Sequence, residues 1–114
     1  MIFLYQDDSK SIELVKSKII WSAYRTVITF PKRSTEKLLE EYLKEHYKTL
    51  LLPTCLKLIQ SAKISYNSTN TFIITFPTKE LNELARIITY GTGKILGSPI
   101  LKVAFKNALN KMKG

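Results

Sequence analysis

Residues 88–105, ITYGTGKILGSPILKVAF, gather the residue types most suggestive of chemistry in this chain. Gly91, Gly93 and Gly97 lie close together, Lys94 follows the second, and Ser98-Pro99 leads into an apolar run dotted with lysine. Glycines beside a lysine are what a phosphate loop needs, bare amides to cradle the anion and an ammonium to pair with it. The spacing argues against that chemistry. A Walker loop, G-x-x-x-x-G-K-[ST], needs a hydroxyl after the lysine to hold magnesium, and Ile95 stands there. Gly91 is also too close to Gly93 for that pattern, and the dinucleotide fingerprint G-x-G-x-x-G fails because Gly97 comes one residue late. The segment reads as a loop that needs backbone freedom, followed by a capped helix.

Other reactive side chains are scattered. His46, the single histidine, lies among Glu45, Tyr47 and Lys48 and reads as a surface or boundary residue. Cys55 is the single cysteine, which excludes an intramolecular disulfide and a cysteine-based zinc cluster and suggests a buried apolar thiol. Pro53 separates it from His46, and nothing in the spacing pairs the two as nucleophile and base. Glu36, Glu40, Glu41 and Glu45 read as a solvated helix face with no second carboxylate cluster to complete a metal site. The expectation is a protein without catalytic residues, metal or cofactor.

The elements that must position the glycine segment follow from the rest of the chain. At 114 residues, 45% hydrophobic and 24% charged, the sequence reads as a single globular domain, residues 1–114. No apolar run approaches the ~20 residues of a membrane-spanning helix. The opening MIFLYQDDSK lacks the basic and long apolar stretches of a leader, so none is expected. An apolar IFLY is broken by DDSK, and a helix is expected from Ser9 to about Ala23 with Ile12, Val15, Ile19 and Ile20 on one side. YRTVITF, Tyr24–Phe30, is β-branched and aromatic and stops at Pro31, which predicts a strand.

Ser34 or Thr35 opens a long amphipathic helix over 34–62. Leu38, Leu39, Tyr42, Leu43, Tyr47, Leu50 and Leu51 recur at helical spacing, and Pro53 should kink or break it. KISY and TFIITF flank the turn-forming NSTN and predict a hairpin. Thr78 can cap a helix with Leu81, Leu84, Ala85 and Ile88 inward. Ser98 at an N-cap with Pro99 at the first helical position starts the last helix. That helix buries Leu101, Ala104, Phe105, Ala108, Leu109 and Met112 and shows Lys102, Lys106 and Lys113. VITFP at 27–31 and IITFP at 73–77 echo each other, and two independent strand-to-helix turns explain the echo better than a duplication. The architecture predicted is α+β, a small antiparallel sheet packed against a long amphipathic helix and a C-terminal helix.

Charge narrows the partners. The net charge is +9, and every carboxylate lies at or before Glu83. Beyond it come Arg86, Lys94, Lys102, Lys106, Lys111 and Lys113 with no acid among them. A cationic C-terminal quarter favours polyanions or acidic protein surfaces. One reading is therefore a small basic nucleic-acid-binding or regulatory module, although no base-reading motif accompanies the lysines.

The opening segment also carries a resemblance. Tyr90-Gly91-Thr92, a short loop over 93–98, Pro99-Ile100-Leu101, and Lys102 ahead of Ala104 resemble the C-terminal signature of the tail-completion, or head-to-tail joining, family of tailed bacteriophages. The order of long helix, hairpin and short apolar run ending at Tyr90 agrees, so the resemblance spans about residues 34–112. Thr89 stands where that family commonly has an acid, SAKISY replaces its frequent Thr-Gly-x-Leu segment, and residues 1–33 have no counterpart. The resemblance implies a non-catalytic virion protein of the neck, present in the host cytoplasm during assembly. It implies homo-oligomeric rings of six or twelve subunits between the head connector, or head-closure, and tail proteins, around the channel that DNA crosses. On that reading Gly91 and Gly93 shape the loop, and Lys94, Lys102, Lys106 and Lys113 face acidic neighbours or make weak, nonspecific contact with DNA.

Overall fold

The computed structural model describes residues 2–4, 12–30, 34–66 and 71–113. They form, in order, β1 (Ile2–Leu4), α1 (Ile12–Thr29), α2 (Ser34–Tyr47), α3 (Leu51–Ser61), β2 (Lys63–Tyr66), β3 (Thr71–Thr75), α4 (Lys79–Tyr90) and α5 (Ile100–Lys113). The fold is α+β, and no described helix is long and apolar enough to cross a membrane.

α1 runs through the segment whose composition predicts a strand, so the expected break at Ala23 and strand Tyr24–Phe30 are corrected to helix through Thr29. The reason is register. Val15, Ile19, Ala23 and Val27 fall four apart and are all buried, so continuing the helix brings Val27 into an existing seam. Burying a valine contributes about 1.5 kcal/mol or more. The helix propensities of Val, Ile and Thr fall short of alanine by at most about 0.7 kcal/mol each. The threonines also find acceptors inside the helix. Thr26 Oγ1 donates to the Ser22 carbonyl at 3.0 Å, and Thr29 Oγ1 to the Thr26 carbonyl at 3.0 Å. Because 27–29 close a helix whereas 73–75 lie in a strand, the VITFP and IITFP segments do not repeat a structure; only the second makes a strand-to-helix turn.

The expected helix 34–62 is two helices, and the break precedes the proline. Lys48 takes a left-handed conformation (φ 55°), and Thr49 N–H reaches back to the Leu43 carbonyl at 3.5 Å. Pro53 then falls in the first turn of α3, where its missing N–H removes no helical bond. On α2 the periodic face is only partly used. Leu39 and Leu43 are buried, whereas Leu38 remains exposed, as does Leu50 beyond the end of the helix.

β1, β3 and β2 form an antiparallel sheet in that order, with Phe3 opposite Phe72 and Ile64 opposite Ile74. The hairpin is as expected, and its NSTN turn lies outside the described residues. The IFLY run, to which composition assigns no element, supplies the third strand. Ile64, Phe72 and Ile74 turn into the core, with the Tyr66 ring 4.9 Å from that of Phe72. α1 packs along α5 more extensively than any other helix pair and also touches α3, and β1 touches α5. The small residues Ala23 on α1 and Ala104 and Ala108 on α5 are all fully buried. One continuous apolar cluster takes residues from each of the described helices, so α1 shares the core of the segments that follow it.

Candidate functional site

The glycine segment is a closed turn. α4 starts as its sequence predicts, with Thr78 Oγ1 accepting from Leu81 N–H, and Leu84, Ala85 and Ile88 are buried. Asn82 fixes the approach from β3. Its Oδ1 accepts from Phe76 N–H at 3.2 Å while its Nδ2 donates to the Phe76 carbonyl at 2.8 Å. At the other end Gly91 turns the chain with φ 77°, its N–H donating to the Ile87 carbonyl at 2.7 Å. Thr92 N–H donates to the Ile95 carbonyl at 2.8 Å, and Ser98 N–H to the Ile88 carbonyl at 2.7 Å. Lys94 N–H donates to Thr92 Oγ1 at 3.3 Å. Gly91 and Leu96 pair as an isolated bridge.

Two loop amides, of Thr92 and Lys94, are therefore spent within the loop and two, of Gly91 and Ser98, on the last turn of α4, which is the opposite of a phosphate cradle. A Cβ at Gly91 would run into the Ile95 carbonyl, and one at Gly97 into the Thr89 carbonyl. At Gly93 it would meet nothing. The pair that shapes the loop is thus Gly91 and Gly97, not Gly91 and Gly93 as the family resemblance implies.

Ser98 departs from the expected role as well. It is buried, and its Oγ donates to Glu36 Oε1 at 3.2 Å instead of capping α5. α5 begins one residue later than expected, and the Pro99 carbonyl accepts its first helical bond, from Val103 N–H at 2.8 Å. Glu36 is only 4% exposed, so it does not belong to the solvated face expected for it. The signal was present: 36, 39 and 43 are one helical stripe, and its other two members are the buried Leu39 and Leu43. Glu41 and Glu45 are exposed, as expected of that face.

The closed turn leaves two large apolar side chains in solvent, with cations beside the first. Tyr90 is 64% exposed and Leu96 74%. Lys102 Nζ lies 4.7 Å from the centre of the Tyr90 ring, a cation–π contact that ties the start of α5 to the end of α4. Arg86, Thr89 and Tyr90 line a shallow cleft of about 160 Å³ beside the end of β3. The hydroxyl of Thr89 is buried without a hydrogen-bond partner. Lys94 and Gly93 are exposed on the loop, and Lys106 is exposed one turn beyond Lys102 on α5. The side chain of Lys113 lies outside the described residues, although its backbone closes α5. The structure thus brings Tyr90 and Lys102 together, leaves Lys94 and Lys106 in solvent, and turns Ser98 inward. Leu96 carries no sequence signal of its exposure.

The other reactive groups are kept apart. Cys55 is fully buried, and burial pushes its thiol from 9.0 up to about 12, with Glu36 and then Glu40 adding to the shift. His46 is exposed, its ring 4.3 Å from that of Tyr42. Among the described residues, no three His, Cys, Asp or Glu side chains group as metal ligands.

Compared with family models, with curated proteins and with solved structures, the chain finds no match.

Proposed function

We propose that the chain is a structural joining subunit, of the kind found in the neck of tailed bacteriophages, which works by contact between proteins and has no catalytic role. The observation that carries this reading is the Tyr90–Leu96 tip, two large apolar side chains held in solvent on a turn closed by its own hydrogen bonds. Exposed apolar side chains with Lys102 against Tyr90 and Arg86 in the cleft beside it have the composition of a protein contact, an apolar centre with a polar rim. The Tyr90-Gly91-Thr92 and Pro99-Ile100-Leu101 steps that resemble the joining family flank this same tip. In a homo-oligomeric ring the tip would seat against a neighbouring subunit or against connector or tail proteins, and Lys102 and Lys106 would face acidic neighbours or, weakly, DNA. The buried, protonated Cys55 and the exposed His46 fit a chain without a nucleophile and base pair.

The test is electron microscopy of particles containing the protein. Ring density at a head–tail junction supports the reading, and absence from particles overturns it. The exposed Lys94, Lys102 and Lys106, in a region without carboxylates, favour the second reading, a nucleic-acid-binding module. That module would bind free duplex DNA with an affinity falling steeply as salt rises.

A further inference from the structure

α1 is apolar on two faces, and the fold uses one. Val15, Ile19, Ala23 and Val27 are buried, yet Leu14, Trp21 and Ile28 stand seven residues apart and are 51%, 63% and 52% exposed. Lys18 and Arg25, also seven apart and exposed, alternate with them. The result is one solvent-facing stripe, Leu14, Lys18, Trp21, Arg25, Ile28, about 21 Å long at 1.5 Å per residue. Beside its centre, Trp21 and Tyr24 lie with rings parallel within 4° and centroids 6.3 Å apart. With Ile20 and Gln60 they line an apolar groove of about 380 Å³.

We infer that this stripe is the docking surface for an amphipathic helix of another protein, with an apolar seam and acidic flanks. Seven-residue spacing of large apolar side chains is the pattern that a facing helix fills. The charge decides the occupant. A second copy set antiparallel on the stripe would bring Lys18 and Arg25 against their own counterparts, in a chain already at +9. A nucleic acid asks for cations in the majority, whereas here three apolar residues alternate with two cations. Carboxylates flanking a leucine-type seam answer both features at once, with Trp21 and Arg25 as the residue types that anchor such contacts. This inference does not rest on the neck reading, since it concerns a different element and needs no ring.

Trp21 is the only tryptophan, so its emission reports on the stripe directly. The probes are three helical peptides of about 18 residues, roughly five turns. They share one leucine seam and differ in flanks that are all Glu, all Gln or all Lys. The Glu peptide should shift Trp21 emission to the blue and bind roughly tenfold more tightly than the Gln peptide. The Lys peptide should leave the emission unchanged. A Lys18→Glu/Arg25→Glu variant should reverse the order, and Leu14→Glu/Ile28→Glu should abolish binding while thermal unfolding stays where it was. Equal response to all three peptides would overturn the inference, as would no response to any. So would quenching of Trp21 by a short DNA or RNA in place of the peptide effect, self-association abolished by Trp21→Glu, or unfolding of the Leu14→Glu/Ile28→Glu variant.

Discussion

The Ser98–Glu36 hydrogen bond joins residues 62 positions apart, at the entrance of α5 and in the first turn of α2. Both side chains are buried, so each depends on the other for part of its satisfaction. Ser98→Ala removes a donor from a buried carboxyl group and should destabilise the protein by about 1.5–3 kcal/mol in urea unfolding. A change under 0.5 kcal/mol would mean that the other neighbours of Glu36 suffice. Cys55 allows a second prediction at this scale. Its folded pKa lies above the unfolded value, so the fold favours the neutral thiol. Its contribution to stability is complete below pH 9.0 and is lost as pH rises through about 12. At pH 8 the native thiol should react with iodoacetamide far more slowly than in urea, because burial both keeps it protonated and shuts out the reagent. Comparable rates in the two states would place Cys55 at the surface.

At the scale of elements, propensity and tertiary register compete, and the sequence was legible where they agreed. α4 carries every signal at once: the Thr78 cap, Glu80 in the first turn, Leu84 and Ile88 at helical spacing, and Gly91 at the stop. The hairpin likewise has β-branched strands on either side of a polar turn. The second half of α1 is where they conflict, because Val27 extends the Val15–Ile19–Ala23 seam, which is buried only once the elements packed on α1 are in place. β1 is too short to announce itself and exists through its pairing with β3. The break between α2 and α3 was hidden because Lys48 has none of glycine's tolerance for a positive φ. Lys48→Gly should therefore stabilise the protein by about 0.5–1 kcal/mol, where the same change inside a helix would cost that much. Chemical unfolding decides between these signs. The loop gives a matched contrast. Gly91→Ala should cost about 2–3 kcal/mol, from the positive φ and the collision with the Ile95 carbonyl. Gly93→Ala, with open space around it, should stay within about 0.5 kcal/mol. Equal effects would mean that the turn is not closed as described.

For the whole molecule, the +9 charge and the exposed apolar tip point to different partners, and they can be separated because the tip is not part of the core. The candidate site was half legible. Its motif and lysines stand in the sequence, but the exposure of Leu96 depends on how the turn closes against α4 and α5, which no local pattern encodes. If joining rests on apolar contact, Tyr90→Ser/Leu96→Ser should cost no more than about 1 kcal/mol, the size of the lost cation–π contact, since both side chains are largely in solvent. The same variant should lose incorporation into particles or binding to a neighbouring subunit. Lys102→Gln/Lys106→Gln should keep most of that binding, with a modest loss from the Tyr90 contact. If instead the lysines are the working surface, the order inverts. The glutamine variant should lose affinity for duplex DNA and reduce the slope of log affinity against log salt by about 0.9 per phosphate contact removed, and the serine variant should bind as before. Measuring both variants against both partners leaves one reading standing, because the core beneath the tip is untouched by either change.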